Sequence, residues 1–278
     1  MNPGEMALIA SATLLIGSAD FFGGVAARRS APMAVAAWSQ AIGVPGLLAI
    51  ASVVGGSLIA TDLALGMAAG AGSALGVSAL YIGFARSAVG VVAPTAATTA
   101  AVVPIIAGLI LGERPGVVAA VGIGLGIGAI ILVGSTPADV PGVSKGLIIG
   151  LIAGLGFGAM VIAYAATSVE SGLWSAVSGR LAAALFVTTA VIVTGTNARI
   201  TRSARVPTVL AGGLASVGMA AFVTVSQTAD LIVLGVALGL FPTVTVLLAA
   251  FFIRERLIPT QWMGVGLAAV AVTLISVG

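Results

Sequence analysis

Long apolar runs separated by short polar links make up almost the whole of this chain. An α-helix crosses the hydrocarbon core of a bilayer with about 20 consecutive apolar residues, and the runs have that length. The pattern predicts an all-α membrane protein with ten transmembrane helices. We expect these helices over Glu5–Ala27, Met33–Val54, Leu63–Ala85, Val89–Leu111, Val117–Gly134, Lys145–Ala166, Gly172–Thr194, Pro207–Ala229, Leu231–Ile253 and Gln261–Val277.

One stretch of this pattern occurs twice. The segment Val89–Gly134 returns as Leu231–Ser276, and in both copies a charged pair separates two apolar runs. Glu113-Arg114 falls on Glu255-Arg256 when the chain is shifted by 142 positions. Because the shift is about half the chain length, the repeat indicates a duplication of the whole chain.

The duplication predicts two units, residues 1–136 and residues 137–278, with five helices each. A unit with an odd number of helices ends on the opposite side of the membrane, so the second unit enters upside down. Inverted repeats of this kind recur in secondary transporters, which bind their substrate near the bilayer midplane between the repeats. The architecture therefore favours a transporter with a central cavity.

The composition agrees with the membrane class and excludes several functions. Hydrophobic residues make up 60% of the chain and charged residues 7%, whereas soluble domains carry about 25% charge. The chain has no Cys and no His, which removes thiol chemistry and the commonest metal ligand. No catalytic motif is present, so we expect no enzyme, no cofactor and no metal. The net charge of +3 does not indicate a nucleic-acid partner.

Basic residues concentrate in the odd-numbered links between the predicted helices. Only Arg114 lies in an even-numbered link. The positive-inside rule then places the odd-numbered links in the cytoplasm and both termini outside, in a multi-pass protein of the cytoplasmic membrane. The basic residues of the odd-numbered links are Arg28, Arg29, Arg86, Lys145, Arg199, Arg202, Arg205, Arg254 and Arg256.

An apolar helix that ends in Gly112-Glu113-Arg114, followed by a helix with spaced glycines, resembles the EamA domain of the drug/metabolite transporter superfamily. The second copy, Arg254-Glu255-Arg256-Leu257, matches more weakly. The resemblance implies export of small metabolites by alternating access, and the chain is most similar to the aromatic amino-acid exporters. It also implies cytoplasmic termini, the reverse of the orientation that the charges favour. We interpret both Glu-Arg pairs as structural caps and interface anchors.

Two charged residues fall about two turns inside predicted membrane helices, where a charge costs at least about 2.5–3.5 kcal/mol. Asp20 lies in the first helix and Arg180 in the seventh. Both are candidates for gating or coupling, and Arg180 could also anchor a substrate carboxylate, as Asp20 could an amine. Alternatively, each side chain reaches the interface or bonds backbone carbonyls.

Polar and aromatic side chains at helical spacing complete the predicted substrate site. Thr residues beside a proline could bond the carbonyl that the proline frees, or bond a neighbouring helix instead. Aromatic residues on a glycine-rich helix could wall a cavity or simply pack. The substrate-binding candidates are Ser78, Tyr81, Thr95, Thr98, Thr99, Phe157, Tyr164, Arg180, Ser216, Phe222, Gln227 and Thr243.

Two transport functions remain open. The first is export of amino acids, aromatic and others, through the cavity between the repeats. The second is efflux of drugs or lipophilic cations, which is less favoured because aromatic residues are only 5% of the chain and Asp20 is the sole deeply placed acid. The expected partners are a small-molecule substrate and the lipid bilayer. We expect a monomer, because one chain already holds both repeats.

Overall fold

The computed structural model describes residues 3–86, 89–133, 143–252 and 259–277. Over these residues the chain forms ten α-helices and one short 3-10 turn, Val169–Ser171. The predicted all-α fold with ten helices is therefore confirmed. The helices are α1 (Pro3–Ala27), α2 (Pro32–Val54), α3 (Ala60–Arg86), α4 (Val89–Ile110), α5 (Val117–Val133), α6 (Val143–Ala165), α7 (Trp174–Val193), α8 (Arg202–Ser226), α9 (Leu231–Phe252) and α10 (Pro259–Val277).

Seven of the ten helices have, on their described residues, the length and composition of membrane spans. By these two criteria α1, α2, α3, α6, α7, α8 and α9 each qualify on their described residues. Shorter apolar stretches, Thr95–Ile110 and Val117–Ala129, lie in α4 and α5. Large apolar side chains such as Ile110 and Phe251 stay exposed, at 79% and 84% of their surface. Such a surface suits contact with lipid rather than with water.

Packing between the helices follows the two-fold pattern expected of inverted repeats. The shift of 142 positions pairs α1 with α6, α2 with α7, α3 with α8, α4 with α9 and α5 with α10. The contact of α1 with α8 has its counterpart in α3 with α6, and that of α2 with α8 in α3 with α7. The helices α2 and α7, α4 and α9, and α5 and α10 contact their own counterparts.

Glycines allow the closest of these contacts. A Cβ at Gly72 of α3 would lie 2.6 Å from the Gly156 carbonyl oxygen of α6, and a Cβ at Gly156 would lie 2.6 Å from the Gly72 oxygen. Membrane helices associate largely through close van der Waals packing, which small residues permit. The high glycine content of the chain thus serves helix packing.

Helix α8 begins at Arg202, five residues before the predicted start at Pro207, so that predicted boundary is wrong. Proline lacks the N–H that would bond the carbonyl four residues earlier, which is why it suggested a helix start. In the structure that carbonyl, Ser203, instead accepts a hydrogen bond of 3.2 Å from Arg29 Nη1. The helix can therefore continue through the proline.

The helix order places the links on two faces. The face that we call the arginine-rich face holds links 28–31 and 194–201, and the opposite face holds links 55–59, 111–116, 166–173 and 227–230. The predicted junction of the two units at residues 136 and 137 lies outside the described residues. So does the second charged motif, Arg254-Glu255-Arg256-Leu257.

Candidate functional site

A buried cavity lies at the centre of the bundle, where helices from both halves of the sequence meet. Side chains of α1, α2, α3 and α4 line it together with side chains of α6, α7, α8 and α9. Most of the wall is apolar, from Ala96 and Ala97 of α4 to Phe241 of α9. The polar and charged side chains at its wall are Asp20, Ser39, Gln40, Ser73, Tyr81, Arg180 and Thr245.

Arg180 is the buried cation of this cavity, with only 6% of its surface exposed. Its Nη1 donates to Gln40 Oε1 at 2.5 Å, and its Nη2 donates to the Gly212 carbonyl oxygen at 3.1 Å and to Ser216 Oγ at 3.4 Å. The Nε donor is buried without an acceptor. A guanidinium has five N–H donors, so Arg180 keeps donors for a further acceptor group.

The surrounding helices hold the guanidinium in place. Gln40 donates from Nε2 to Ser73 Oγ at 3.3 Å, which joins α2 to α3. Ser216 Oγ donates to the Gly43 carbonyl oxygen at 2.9 Å. At Gly43 an added Cβ would collide with the guanidinium and with Ser216 Oγ. Arg180 therefore fits here only because α2 has a glycine at this position.

Asp20 supplies the opposite charge at the cavity wall. Within the described part of the chain it makes no hydrogen bond or ion pair, so it does not neutralise Arg180. The phenol of Tyr81 packs against Gly23, one turn beyond Asp20 on α1, and a Cβ at Gly23 would collide with the Tyr81 hydroxyl. The cavity thus holds a carboxylate and a guanidinium that are not paired with each other.

The cavity is small and lies nearer the arginine-rich face. Its volume is about 70 Å³, well below the about 300–1,000 Å³ of typical small-molecule sites. Its lining reaches Phe84, two residues before the end of α3, and Ala93, four residues after the start of α4. Toward the opposite face its lining stops at Met160, five residues before α6 ends. The cavity of this structure is therefore smaller than a site that encloses an amino acid.

Polar contacts close the bundle on the face opposite the arginine-rich one. Asp62 at the start of α3 accepts hydrogen bonds from Ser168 N at 3.1 Å and from Ser168 Oγ. Gln227 after α8 donates from Nε2 to the Gly172 carbonyl oxygen at 2.9 Å. The backbone N of Ser57 donates to the Glu170 carbonyl oxygen at 2.8 Å. These bonds join the links that precede α3 and follow α6 and α8.

Glu113 of the Gly-Glu-Arg motif caps a helix of the other half of the chain. Its Oε1 accepts from Leu231 N at 2.8 Å and its Oε2 from Ile232 N at 3.0 Å, the first two amides of α9. The first N–H groups of a helix have no partner within the helix, and a carboxylate there also interacts favourably with the helix dipole. The motif thus joins the end of α4 to the start of α9.

Several residues predicted from sequence lie together at the cavity, and others adjoin it. Asp20, Tyr81, Phe157 and Arg180 line the cavity. Ser216 lies behind the guanidinium and bonds it.

Two more predicted residues, Tyr164 and Phe222, are buried beside residues next to or in the cavity wall. The Tyr164 hydroxyl packs against Gly179, next to Arg180 in the chain. Phe222 packs edge-on against the cavity residue Phe241 at 6.2 Å between ring centroids. Neither Tyr164 nor Phe222 is part of the lining, and the same holds for Thr243 of α9, which is half-buried.

The other predicted residues face elsewhere. Thr95 and Thr99 of α4 pack against glycines of α6, and Thr99 Oγ1 donates to the Thr95 carbonyl oxygen at 2.8 Å. Thr98 is not part of the cavity lining. Ser78 lines a separate open groove with residues such as Phe186, and Gln227 belongs to the polar closure described above.

Sequence reasoning left out Gln40, Ser73 and Thr245 as site residues. An amide inside a membrane helix is costly unless it is bonded, so Gln40 carried a usable signal. Ser73 lies among alanines and glycines and resembles many packing serines. Thr245 Oγ1 donates to the Gly17 carbonyl oxygen at 2.9 Å, a contact between α1 and α9 that only the fold shows.

In the described part of the chain, no three Asp, Glu, His or Cys side chains lie close enough together to hold a metal ion.

The chain is similar to known proteins in sequence and in fold. Residues 4–135 match the profile of the EamA-like transporter family. A solved structure titled "Crystal structure of protein" has a TM-score of 0.78 and 15% sequence identity, covering 100% of this chain and 98% of that one. No curated protein matches the sequence.

The structural likeness shows that the whole chain shares the fold of that protein. The profile match covers the first five helices, and the EamA-like family consists of membrane transporters of small molecules. Residues 4–135 are therefore similar to the EamA-like transporter family.

Proposed function

We propose that this protein is a secondary transporter that exports amino acids by alternating access through the central cavity. The observation that carries the proposal is the pair of opposite, unpaired charges at the cavity wall. Arg180 keeps N–H donors for a carboxylate, and Asp20 has an acceptor for an ammonium group. An amino acid presents both groups on one carbon, and a buried charge is far more stable when it is paired.

The rest of the cavity suits the side chain of such a substrate. Phe84, Phe157 and Phe241 stand among alanines at its wall. Pockets that are mostly apolar, with a few placed polar groups, are typical of small-molecule sites. Aromatic and aliphatic side chains could therefore both be accommodated, which agrees with a broad specificity that includes aromatic amino acids.

The small volume of the central cavity fits a carrier that changes shape. At about 70 Å³ the cavity holds only water-sized molecules, so an amino acid requires the helices around it to separate. The polar closure on one face and the approach of the cavity to the other suggest that the arginine-rich face opens first. By the positive-inside rule, we infer that this face lies on the cytoplasmic side of the inner membrane. An exporter loads its substrate from that side. A monomer suffices for this cycle.

Efflux of lipophilic cations is the competing function, and the unpaired Asp20 is the observation that favours it. Arg180 weighs against it, because a buried guanidinium in the same cavity repels a cation. The cation would have to occupy the cavity without a counter-charge for Arg180. We therefore place amino-acid export first.

Transport by the purified chain in liposomes tests the proposal. The panel holds aromatic, aliphatic and charged amino acids beside a lipophilic quaternary cation. Saturable uptake of several amino acids is the expected result, with lower uptake in Phe157→Ala. The matched control is Phe186→Ala, because Phe186 is 54% exposed on the outer surface of α7. Uptake of the cation alone would overturn the proposal in favour of drug efflux.

A further inference from the structure

A second site lies toward the arginine-rich face, and it shares no lining residue with the cavity. It is an open groove of about 800 Å³ between the first half of α2, the link from α7 to α8, and the start of α8. We call it the arginine groove. Its main wall residues are Trp38, Ile42, Asn197, Arg199, Arg205 and Val209.

The arginine groove carries positive charge without nearby acids. Residues 194–206 contain three arginines and no acidic residue, and α2 contains no charged residue. Arg199 and Arg205 are exposed, and neither forms an ion pair within the described part of the chain. An anion that entered the groove would therefore meet two guanidinium groups that have no competing carboxylate partner.

Hydrogen bonds fix the backbone of the α7–α8 link at the groove. Their donors include side chains of α2 and of the link that precedes it. Trp38 Nε1 donates to the Ala198 carbonyl oxygen at 2.9 Å, and Ser30 Oγ donates to the Arg199 carbonyl oxygen at 3.4 Å. The Arg199 N–H donates to Asn197 Oδ1 at 3.0 Å. The link thus presents Arg199 from a fixed backbone.

An apolar surface continues from the groove along the outside of the bundle. Val206 and Val209 of α8 are 67% and 52% exposed, and the Trp38 ring is 49% exposed. Tryptophan is enriched where a membrane protein crosses from the hydrocarbon to the headgroup region. The groove therefore offers cations at the headgroup level and apolar side chains at the level of acyl chains.

We propose that the arginine groove binds an anionic phospholipid. Arg199 and Arg205 contact the phosphodiester headgroup, and the acyl chains lie along Val206 and Val209. Arginine suits this ligand because its planar N–H donors match phosphate oxygens. The bound lipid would brace the α2 and α8 ends that flank the cavity. This site is independent of the proposed transport substrate.

Titration of phosphatidylglycerol into the delipidated full-length protein in neutral detergent tests the proposal, with bound lipid counted by native mass spectrometry. Each arginine near an anionic headgroup contributes about fivefold to binding, so Arg199→Gln with Arg205→Gln should weaken binding about 25-fold. Arg28→Gln with Arg86→Gln removes the same charge from the same face outside the groove, and should change binding less than twofold. Replacing Arg199 and Arg205 by Lys should restore most of the binding.

Three results would overturn the proposal. Equal weakening in both double variants would mean a diffuse attraction to the whole face. Binding of phosphatidylcholine equal to that of phosphatidylglycerol would mean that the groove does not select for a negatively charged headgroup. Competition by inorganic phosphate as strong as that by the lipid would mean a site for a free anion. A thermal unfolding midpoint near that of the unchanged protein shows that the double variants are folded.

Discussion

Replacing Arg180 by Met removes the cation of the cavity while keeping an unbranched side chain that can still pack. The guanidinium makes three hydrogen bonds to Gln40, Gly212 and Ser216 and keeps donors for a substrate carboxylate. A hydrogen bond to a charged group contributes about 1.5–3 kcal/mol, which corresponds to a factor of about 10–150 in affinity. We therefore expect the apparent KM for an amino acid to rise by about that factor.

The assay compares an amino acid with its decarboxylated amine in proteoliposomes. The unchanged protein should prefer the amino acid, because only that substrate has the carboxylate for Arg180. In Arg180→Met the preference should largely disappear, since affinity for the amino acid falls and affinity for the amine does not. An unchanged preference in the variant would refute the role of Arg180 as the carboxylate anchor.

Stability has to be separated from this effect. Gln40 Oε1 accepts its bond from Arg180 Nη1, and a buried acceptor left without a donor costs about 1–3 kcal/mol. Arg180→Lys keeps the charge and serves as the second variant. We expect it to retain part of the preference, because an ammonium lacks the planar fork of donors. The thermal unfolding midpoint in detergent shows whether either variant is folded.

Three further predictions concern single positions. Asp20→Asn should abolish the preference for an amino acid over its deaminated acid in uptake assays; an unchanged preference would remove Asp20 from ammonium binding. Gly43→Ala should raise KM, because the added Cβ would collide with the Arg180 guanidinium. The control Gly46→Ala should leave KM unchanged, because its Cβ would lie 3.8 Å from its nearest neighbour. Equal effects of the two variants on KM would contradict this prediction. Glu113→Gln should cost about 1–2 kcal/mol of stability through a weakened cap of α9, measured as a lower thermal unfolding midpoint. Glu170→Gln, at an exposed position, should leave the midpoint unchanged.

The helices were predictable because the bilayer imposes their length. In lipid, an apolar run of about 20 residues can satisfy its backbone hydrogen bonds internally only as a helix. All ten helices lie where such runs occur. The start of α8 was missed because Pro207 reads as a boundary. The bond from Arg29 that lets the helix pass it comes from a distant part of the sequence.

The cavity was only partly predictable, because a helix shows its polar residues in sequence but not the direction they face. Asp20 and Arg180 stood out through the cost of a charge in the membrane. On α4 the cavity wall is Ala93, Ala96, Ala97 and Ala100, and alanines carry no signal of a site. The threonines of the same helix drew attention, yet Thr95 and Thr99 pack on α6.

Substrate protection of a cysteine in the cavity tests the central claim most directly. The chain has no Cys, so Ser73→Cys at the cavity wall would be its sole thiol. We predict that a membrane-impermeant maleimide reaches this thiol and that a transported amino acid slows its reaction. The exposed Ser57→Cys should react without protection. Equal reaction rates of Ser73→Cys with and without a transported amino acid would contradict binding in this cavity.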